Sequence, residues 1–228
     1  MRKKKIVFSL KEILQEHSNY GVNEYFFSAS SIAKKEKKIH LLSELEDKVR
    51  NCQLCPLFRF AQNSVFGEGN ANARLMFVGE GPGGEEDNQG RPFVGQAGKL
   101  LTKIIEAMGY KREEVYIANI VKHRPPLNRN PLPEEIHACL PFLLLQIKLI
   151  KPKVICALGK IASSTLLGDR GESISQARGE FNSFELIEAK NPIEIMPTYH
   201  PAYLLRNPKA KRDVWSDMKK VMKYLGKK

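Results

Sequence analysis

Four cysteines carry the clearest chemical pattern in this chain of 228 residues. Cys52 and Cys55 form a C-x-x-C pair, and Cys139 and Cys156 follow far downstream. In a chain with no recognisable secretion signal, such a pair more often holds a metal or does redox chemistry than forms a structural disulfide. The cysteines therefore predict a metal, iron–sulfur or redox centre, and a plain count makes all four of them candidate cluster ligands.

A second set of candidate residues follows the predicted strands. The segment GEGPGGEED starts at Gly79, Asn119 precedes a KHRPP loop, and His200 stands between a strand and a proline. Phe93 lies in GRPFVGQAG, before a predicted helix, where an aromatic ring can stack on a nucleic-acid base. Each has an ordinary alternative: a ligand-free turn for the glycines, a core position for the phenylalanine and a structural role for a lone histidine.

The elements that must position these residues alternate between strand and helix. The predicted strands are residues 74–80, 115–121, 153–159 and 193–199, and the main predicted helices are about 41–49, 97–108, 133–149, 160–167 and 209–225. Strands that are continuously apolar are typical of a parallel sheet covered by helices. We predict a three-layer α/β/α sandwich around a four-stranded parallel sheet, with a site at the carboxyl ends of the strands.

Composition favours a polyanionic partner. The chain has 37 Lys and Arg against 25 Asp and Glu, a net charge of +12, and neutralised phosphates release counterions. No apolar run reaches the roughly 18 residues of a membrane helix, and the basic start lacks a cleavage site, so we expect a cytoplasmic protein without a membrane partner. Weak periodicity in residues 1–41 predicts a poorly ordered basic extension before a folded domain at 42–228.

Taken together, five segments resemble the family 4 uracil-DNA glycosylases. The segments are VFGEGN, LMFVGEGPGGEED, GRPFVGQAGKLL, NIVKHRPPLNRNPLP and MPTYHPAYLLRNP. They stand in the family's order, within a resemblance that covers about residues 42–226. The resemblance implies an enzyme that flips uracil out of DNA, hydrolyses its N-glycosidic bond and leaves an abasic site. It also implies a four-iron, four-sulfur cluster, [4Fe-4S], and we expect a monomer.

The resemblance assigns three residues to uracil. By their place in the family pattern, Phe93 stacks on the flipped base, Asn119 pairs with its N3–H and O4, and His200 faces O2. An asparagine side chain offers both a donor and an acceptor. A hydrogen bond to O2 would stabilise the uracil anion as it departs.

The group that activates water stays open at this point. Gly81, in the uracil-binding turn, stands where many related glycosylases have Asp or Asn. Glu80 beside it and Asn128 in the KHRPPLNR loop are the remaining candidates, and Glu80 also belongs to the predicted uracil-binding set. A purely structural role for Glu80, shaping the pocket against other bases, is the alternative.

Three residues after His200 are candidates for DNA contact. Leu204 or Leu205 would fill the gap left in the base stack, and Arg206 would contact a phosphate. The alternative is a core position for either leucine and a solvated helix face for the arginine.

The resemblance also selects the cluster ligands. The family's third ligand stands immediately before R-P-P and its fourth sixteen residues later, which here gives His123 and Cys139 beside Cys52 and Cys55. The chain has K-H-R-P-P where the family usually has K-C-R-P-P, and histidine ligation of iron–sulfur clusters is known. Cys156 lies inside an apolar strand, where a free cysteine behaves as a small hydrophobe. The four-cysteine set stays as the alternative.

Two other function classes compete with a glycosylase. One is a nucleic-acid-binding module with a structural metal and a lost active site, against which Phe93, Asn119 and His200 all argue. The other is a redox or zinc protein, which the colour of the purified protein would separate from an iron–sulfur protein. A related branch that traps uracil-DNA through a histidine in an extra loop is not matched, because RPPLNRNP follows His123 directly.

Overall fold

The computed structural model describes residues 5–8, 34–169, 171–186 and 192–227. Its strands are β1 (Lys5–Phe8), β2 (Glu68–Gly69), β3 (Leu75–Gly79), β4 (Tyr116–Asn119), β5 (Val154–Leu158), β6 (Asn182–Leu186) and β7 (Ile193–Thr198). They form one sheet in the order β1-β6-β7-β5-β3-β4-β2.

The centre of this sheet is the set of four strands that the sequence predicts. Neighbours in the series β7-β5-β3-β4 pair in parallel. The prediction of a four-stranded sheet is nevertheless wrong in its extent, because β6 and β2 add antiparallel pairings outside the four strands and β1 pairs in parallel with β6. The sequences of β2 and β6, EG and NSFEL, are short and partly polar, so they lack the apolar run that marks a buried strand.

Eight α-helices accompany the sheet within the described residues. They are α1 (Lys34–Arg50), α2 (Gly84–Gln89), α3 (Gln96–Ala107), α4 (Pro133–Ile150), α5 (Lys160–Leu167), α6 (Ile174–Ala177), α7 (Pro201–Arg206) and α8 (Lys211–Leu225). Pro133 occupies the first turn of α4, where its missing N–H would have no intrahelical partner anyway.

The sheet separates two hydrophobic clusters. Met76 and Val78 of β3 pack in a cluster with side chains of α1, α4 and α5. Leu75 and Phe77 of the same strand pack in a second cluster with side chains of α3 and α8. Successive side chains of a strand point to opposite faces, so helices cover both faces of a mixed α/β sheet. None of the described helices combines the length and the apolar composition that crossing a bilayer requires.

Only parts of residues 1–41 are described. Lys5–Phe8 forms β1, paired with β6, and α1 begins at Lys34 and runs across the boundary predicted at residue 41. Leu45 and Val49 of α1 are buried in the core. The structure thus gives these two stretches a strand and the start of a helix. The poor order of residues 1–41 stays a prediction, and the rest of the extension lies outside the described residues.

Candidate active site

Gly79 is the point at which two predicted uracil-binding residues meet. It ends β3 and is paired in register with Asn119, which ends β4. A Cβ atom placed on Gly79 would lie 2.5 Å from Oδ1 of Asn119 and 2.5 Å from Cζ of Phe93. Only glycine leaves this space free. The ring of Phe93 in turn lies 5.5 Å from the ring of His200, centroid to centroid, so the structure brings all three residues together.

The side chain of Asn119 is buried without hydrogen bonds. It is 1% exposed, and neither its Oδ1 nor its Nδ2 has a partner among the described residues. Its backbone carbonyl, by contrast, accepts a hydrogen bond from Nζ of Lys122 at 2.9 Å. A buried polar group left unpaired typically costs about 1–3 kcal/mol. A ligand that offers one donor and one acceptor would remove that cost.

A hydrogen bond fixes the orientation of the His200 ring and defines which ring nitrogen carries the hydrogen. His200 is the N-cap of α7, and its Nδ1 accepts the backbone N–H of Ala202 at 3.1 Å. Burial lowers the pKa of His200 to about 4, opposed by Glu86 and reinforced by Arg206. A neutral imidazole that accepts at Nδ1 carries its hydrogen on Nε2, so Nε2 is available as a donor.

Phe93 sits in a strained turn that a carboxylate holds in place. Its φ of 51° lies in the left-handed region, which a bulky residue rarely adopts. The next two backbone N–H groups, of Val94 and Gly95, both donate to Oε1 of Glu86 at 2.9 Å. A Cβ atom on Gly98 would lie 2.0 Å from the carbonyl of Phe93, so the first turn of α3 packs directly on this backbone.

The two candidates for water activation have different surroundings. Glu80 follows Gly79, is half-buried, and has a pKa raised by that burial. Asn128 is exposed, and its Oδ1 already accepts a hydrogen bond from Nε of Arg124 at 2.8 Å. A Cβ atom on Gly81 would lie 2.7 Å from the side chain of Val121, so an aspartate there would require that side chain to move.

The predicted DNA-contact residues divide between core and surface. Leu204 is 1% exposed and belongs to the hydrophobic cluster on the α3 side of the sheet. Its prediction as a wedge is therefore wrong, because α7 packs on α3 and turns this side chain inward. Leu205 is 45% exposed, and Arg206 is exposed as well.

The cysteines lie on opposite faces of the sheet. Cys139 belongs to the cluster that contains α1 and α4, and Cys52 and Cys55 pack against the same cluster. Cys156 belongs to the cluster on the other face. Because the sheet lies between them, Cys156 cannot approach the other three sulfurs without a rearrangement of β5.

The three cysteines on the α4 side have surroundings suited to thiolate ligands. Burial raises the pKa of each thiol, that of Cys139 to about 12. Cys55 also raises the pKa of Cys52, and both of these cysteines raise the pKa of Cys139. Opposing this, backbone N–H groups stabilise the sulfurs of Cys52 and Cys55. The N–H of Lys122 likewise donates to Sγ of Cys139 at 3.2 Å. Bound iron would keep such sulfurs deprotonated.

His123 follows Lys122 directly and is 7% exposed. Burial lowers its pKa, and Asp87 opposes this effect. Within the described part of the chain, no three His, Cys, Asp or Glu side chains lie close enough together to hold a single metal ion.

The comparisons with known proteins agree on one family. The model described as "Uracil DNA glycosylase superfamily" matches residues 66–219. A type-4 uracil-DNA glycosylase of Thermotoga maritima is 47% identical over 189 residues, 82% of this chain and 96% of that protein. Another, of Saccharolobus solfataricus, is 46% identical over 191 residues, 82% of this chain and 88% of that protein. The chain belongs to the type-4 uracil-DNA glycosylases. This membership confirms the family resemblance seen in the sequence.

Two charged residues of this type-4 glycosylase escaped prediction, the half-buried Glu86 and the buried Lys122. Glu86 supports the turn of Phe93 by accepting two backbone N–H groups. Lys122 is 1% exposed and donates from Nζ to Oε1 of Gln146 at 2.7 Å as well as to the carbonyl of Asn119. A signal for both was present, since each is a charged residue inside a motif that also carries a site residue.

Proposed function

We propose that the protein removes uracil from DNA by hydrolysing the N-glycosidic bond, which leaves an abasic site. The observation that carries this proposal is the buried amide of Asn119, which has no hydrogen-bond partner among the residues that the structure describes. It lies against the ring of Phe93 and close to a histidine whose Nε2 is a donor. Family membership supports the same activity.

The oxygen and the nitrogen of the Asn119 side-chain amide explain how uracil would be recognised. Oδ1 of Asn119 accepts N3–H of the base and Nδ2 donates to O4. Cytosine has a donor in place of O4 and no hydrogen on N3, so its polarity is reversed. Uracil lies inside the duplex, so it must leave the base stack to reach this residue. Phe93 then stacks on the flipped ring.

Bond cleavage places negative charge on the base. As the C1′–N1 bond breaks, its electron pair stays with uracil and the sugar becomes oxocarbenium-like. Nε2–H of His200 donates to O2 and stabilises this anion. Water adds to C1′ and gives up a proton, and the uracil anion finally takes one. Glu80 is the better candidate to receive the water's proton, because it is next to Gly79 and burial raises its pKa.

Three cysteines and one histidine form a donor set that suits a [4Fe-4S] cluster as the cofactor. Cys52, Cys55 and Cys139 with His123 would hold it, on the face of the sheet that carries α4. When bound, the cluster supplies a rigid, redox-active cross-link. The proposed ligands lie just after α1, in the loop after β4 and in α4, so binding would fix these three segments relative to one another.

The net charge of +12 suits DNA as the partner, because basic side chains neutralise phosphates and release counterions. Action as a monomer in the cytoplasm remains our expectation from the sequence alone.

The decisive experiment is a strand-cleavage assay. The protein is incubated with an oligonucleotide that contains one uracil, alkali is added, and cleavage at that position is measured. Matched oligonucleotides with thymine or cytosine at the same position are the controls. Cleavage only at uracil is expected. Protein that carries its iron and leaves the uracil strand intact would overturn the proposal.

A further inference from the structure

Leu127 is an apolar side chain held almost entirely in solvent. It lies in the loop after β4 and is 97% exposed. Leu127 and Asn128 are consecutive residues with φ of 54° and 56°, both in the left-handed region. That region is unfavourable for leucine because its Cβ crowds the following carbonyl, whereas glycine would adopt it freely. The fold thus keeps a leucine where neither burial nor backbone preference favours one.

The turn that presents Leu127 is fixed by its own hydrogen bonds. The N–H groups of Asn128 and Arg129 donate to the carbonyls of Pro125 and Pro126, each at 3.1 Å. Nε of Arg124 donates to Oδ1 of Asn128 at 2.8 Å. Two consecutive prolines restrict the backbone before the turn. The leucine is therefore presented on an ordered projection.

Both ends of this turn are attached to the rest of the molecule. Cδ of Pro125 lies 3.7 Å from the position of a Cβ atom on Gly81, in the predicted uracil-binding turn. At the other end Arg129 pairs with the buried carboxylate of Glu135 at 2.7 Å, in the first turn of α4. The projection is thus tied to the pocket on one side and to the helix that carries Cys139 on the other.

The order of the strands places a second exposed leucine on the other side of the predicted uracil-binding turn. β4 and β7 flank β3 and β5 in the sheet. Leu127 follows β4, and Leu205, 45% exposed, follows β7. The carboxyl ends of these parallel strands meet at one edge of the sheet. Leu127 and Leu205 therefore rise from opposite sides of the loop after β3, which leads to the pocket.

We propose that Leu127 is a wedge that inserts into the base stack of duplex DNA beside the flipped uracil, opposite Leu205. The proposal rests on the function proposed above. Apolar side chains that enter a base step unstack it and stabilise the distorted duplex. Duplex DNA is favoured as the occupant because the turn carries Arg124, whose Nε reaches Asn128, and because the net charge of the chain is +12.

The test compares Leu127→Gly with the wild type on one uracil oligonucleotide, single-stranded and in duplex. Glycine removes the side chain and suits the observed φ, so the variant is expected to fold. Uracil release from duplex should fall about tenfold, and release from the single strand should stay within about twofold, because a single strand has no opposing stack to open. Leu127→Ala should show the same selective loss. Ile39→Ala, which alters a 53% exposed residue on α1, should change neither rate.

A second measurement reports the wedge directly. With 2-aminopurine opposite the uracil, wild-type protein should raise the fluorescence by unstacking that base, and Leu127→Gly should raise it less. Equal loss on both substrates would mean a role inside the pocket, and no loss on either would mean an ordinary surface leucine, so either result overturns the wedge. A wild type inactive on both substrates would instead overturn the proposed function itself.

Discussion

Nδ1 of His200 accepts the backbone N–H of Ala202 at 3.1 Å, so one side chain both caps α7 and carries its hydrogen on Nε2 as a donor. Two substitutions separate these roles. Asparagine is a good N-cap, so His200→Asn should keep thermal stability near that of the wild type, whereas His200→Ala should lower it. Both should slow uracil release about a hundredfold, the loss typical of one missing oxyanion donor. A wild-type rate in either variant would make the histidine purely structural.

The same histidine predicts a pH dependence of stability. Burial lowers its pKa from 6.5 to about 4, so below pH 6.5 the unfolded chain binds a proton that the folded chain does not. The free energy of unfolding should therefore fall as the pH drops from 6.5 towards 4, by about 2 kcal/mol between pH 7 and pH 5 from this group. Denaturant titrations of the wild type and His200→Asn should differ by that amount. Parallel curves would contradict the prediction.

Replacing Asn119 with an apolar residue is expected to stabilise the fold and to slow uracil release. Its amide is buried and has no partner in the described part of the chain. Asn119→Leu, of similar shape, should therefore raise the free energy of unfolding by about 1 kcal/mol, while uracil release falls at least about a hundredfold. Asn119→Asp should also weaken uracil release, because a carboxylate has no donor for O4, and when protonated it should admit cytosine. Unchanged uracil kinetics in both variants would remove Asn119 from the site.

The centre of the fold was predictable because its signals are local. The four parallel strands are apolar runs, and Pro133 marks the start of α4. The outer strands β1, β2 and β6 escaped prediction because their pairing depends on neighbours distant in sequence. The residues of β6, for example, pair with β7 and β1. A short polar segment has no pattern of its own that reports such pairing.

The proximity of Phe93, Asn119 and His200 was predictable from the sequence, but the packing around such residues was not. Leu204 and Leu205 are adjacent and chemically identical, yet one is 1% and the other 45% exposed. A helix of six residues carries too little periodicity to fix its phase, which is set here by packing on α3. Glu86 could not be assigned a role because its partners are backbone N–H groups of a loop with left-handed geometry.

Glu80 and Asn128 give opposite predictions for the water-activating group. Because burial raises the pKa of Glu80 above 4.5, a rate that depends on its carboxylate should fall as the pH drops through that raised value. Glu80→Gln should lose about a hundredfold at pH 7 and lose this acid limb as well. Asn128→Gly, which suits the φ of 56°, should keep both. The reverse pattern in single-turnover rates would transfer the role to Asn128.

The last prediction concerns the fourth ligand of the proposed cluster. Cys156 lies in the hydrophobic cluster on the face of the sheet away from Cys52, Cys55 and Cys139, so Cys156→Ala should leave the brown chromophore intact and cost only the stability of a buried small side chain. His123 is buried and adjoins Lys122, whose N–H reaches the sulfur of Cys139. His123→Ala should therefore make the chromophore labile. His123→Cys should restore it, with a lower reduction potential, because thiolate donates more charge than imidazole. Absorption spectra and iron content of the three variants decide the matter. A colourless Cys156→Ala protein beside a fully coloured His123→Ala protein would return the four-cysteine set.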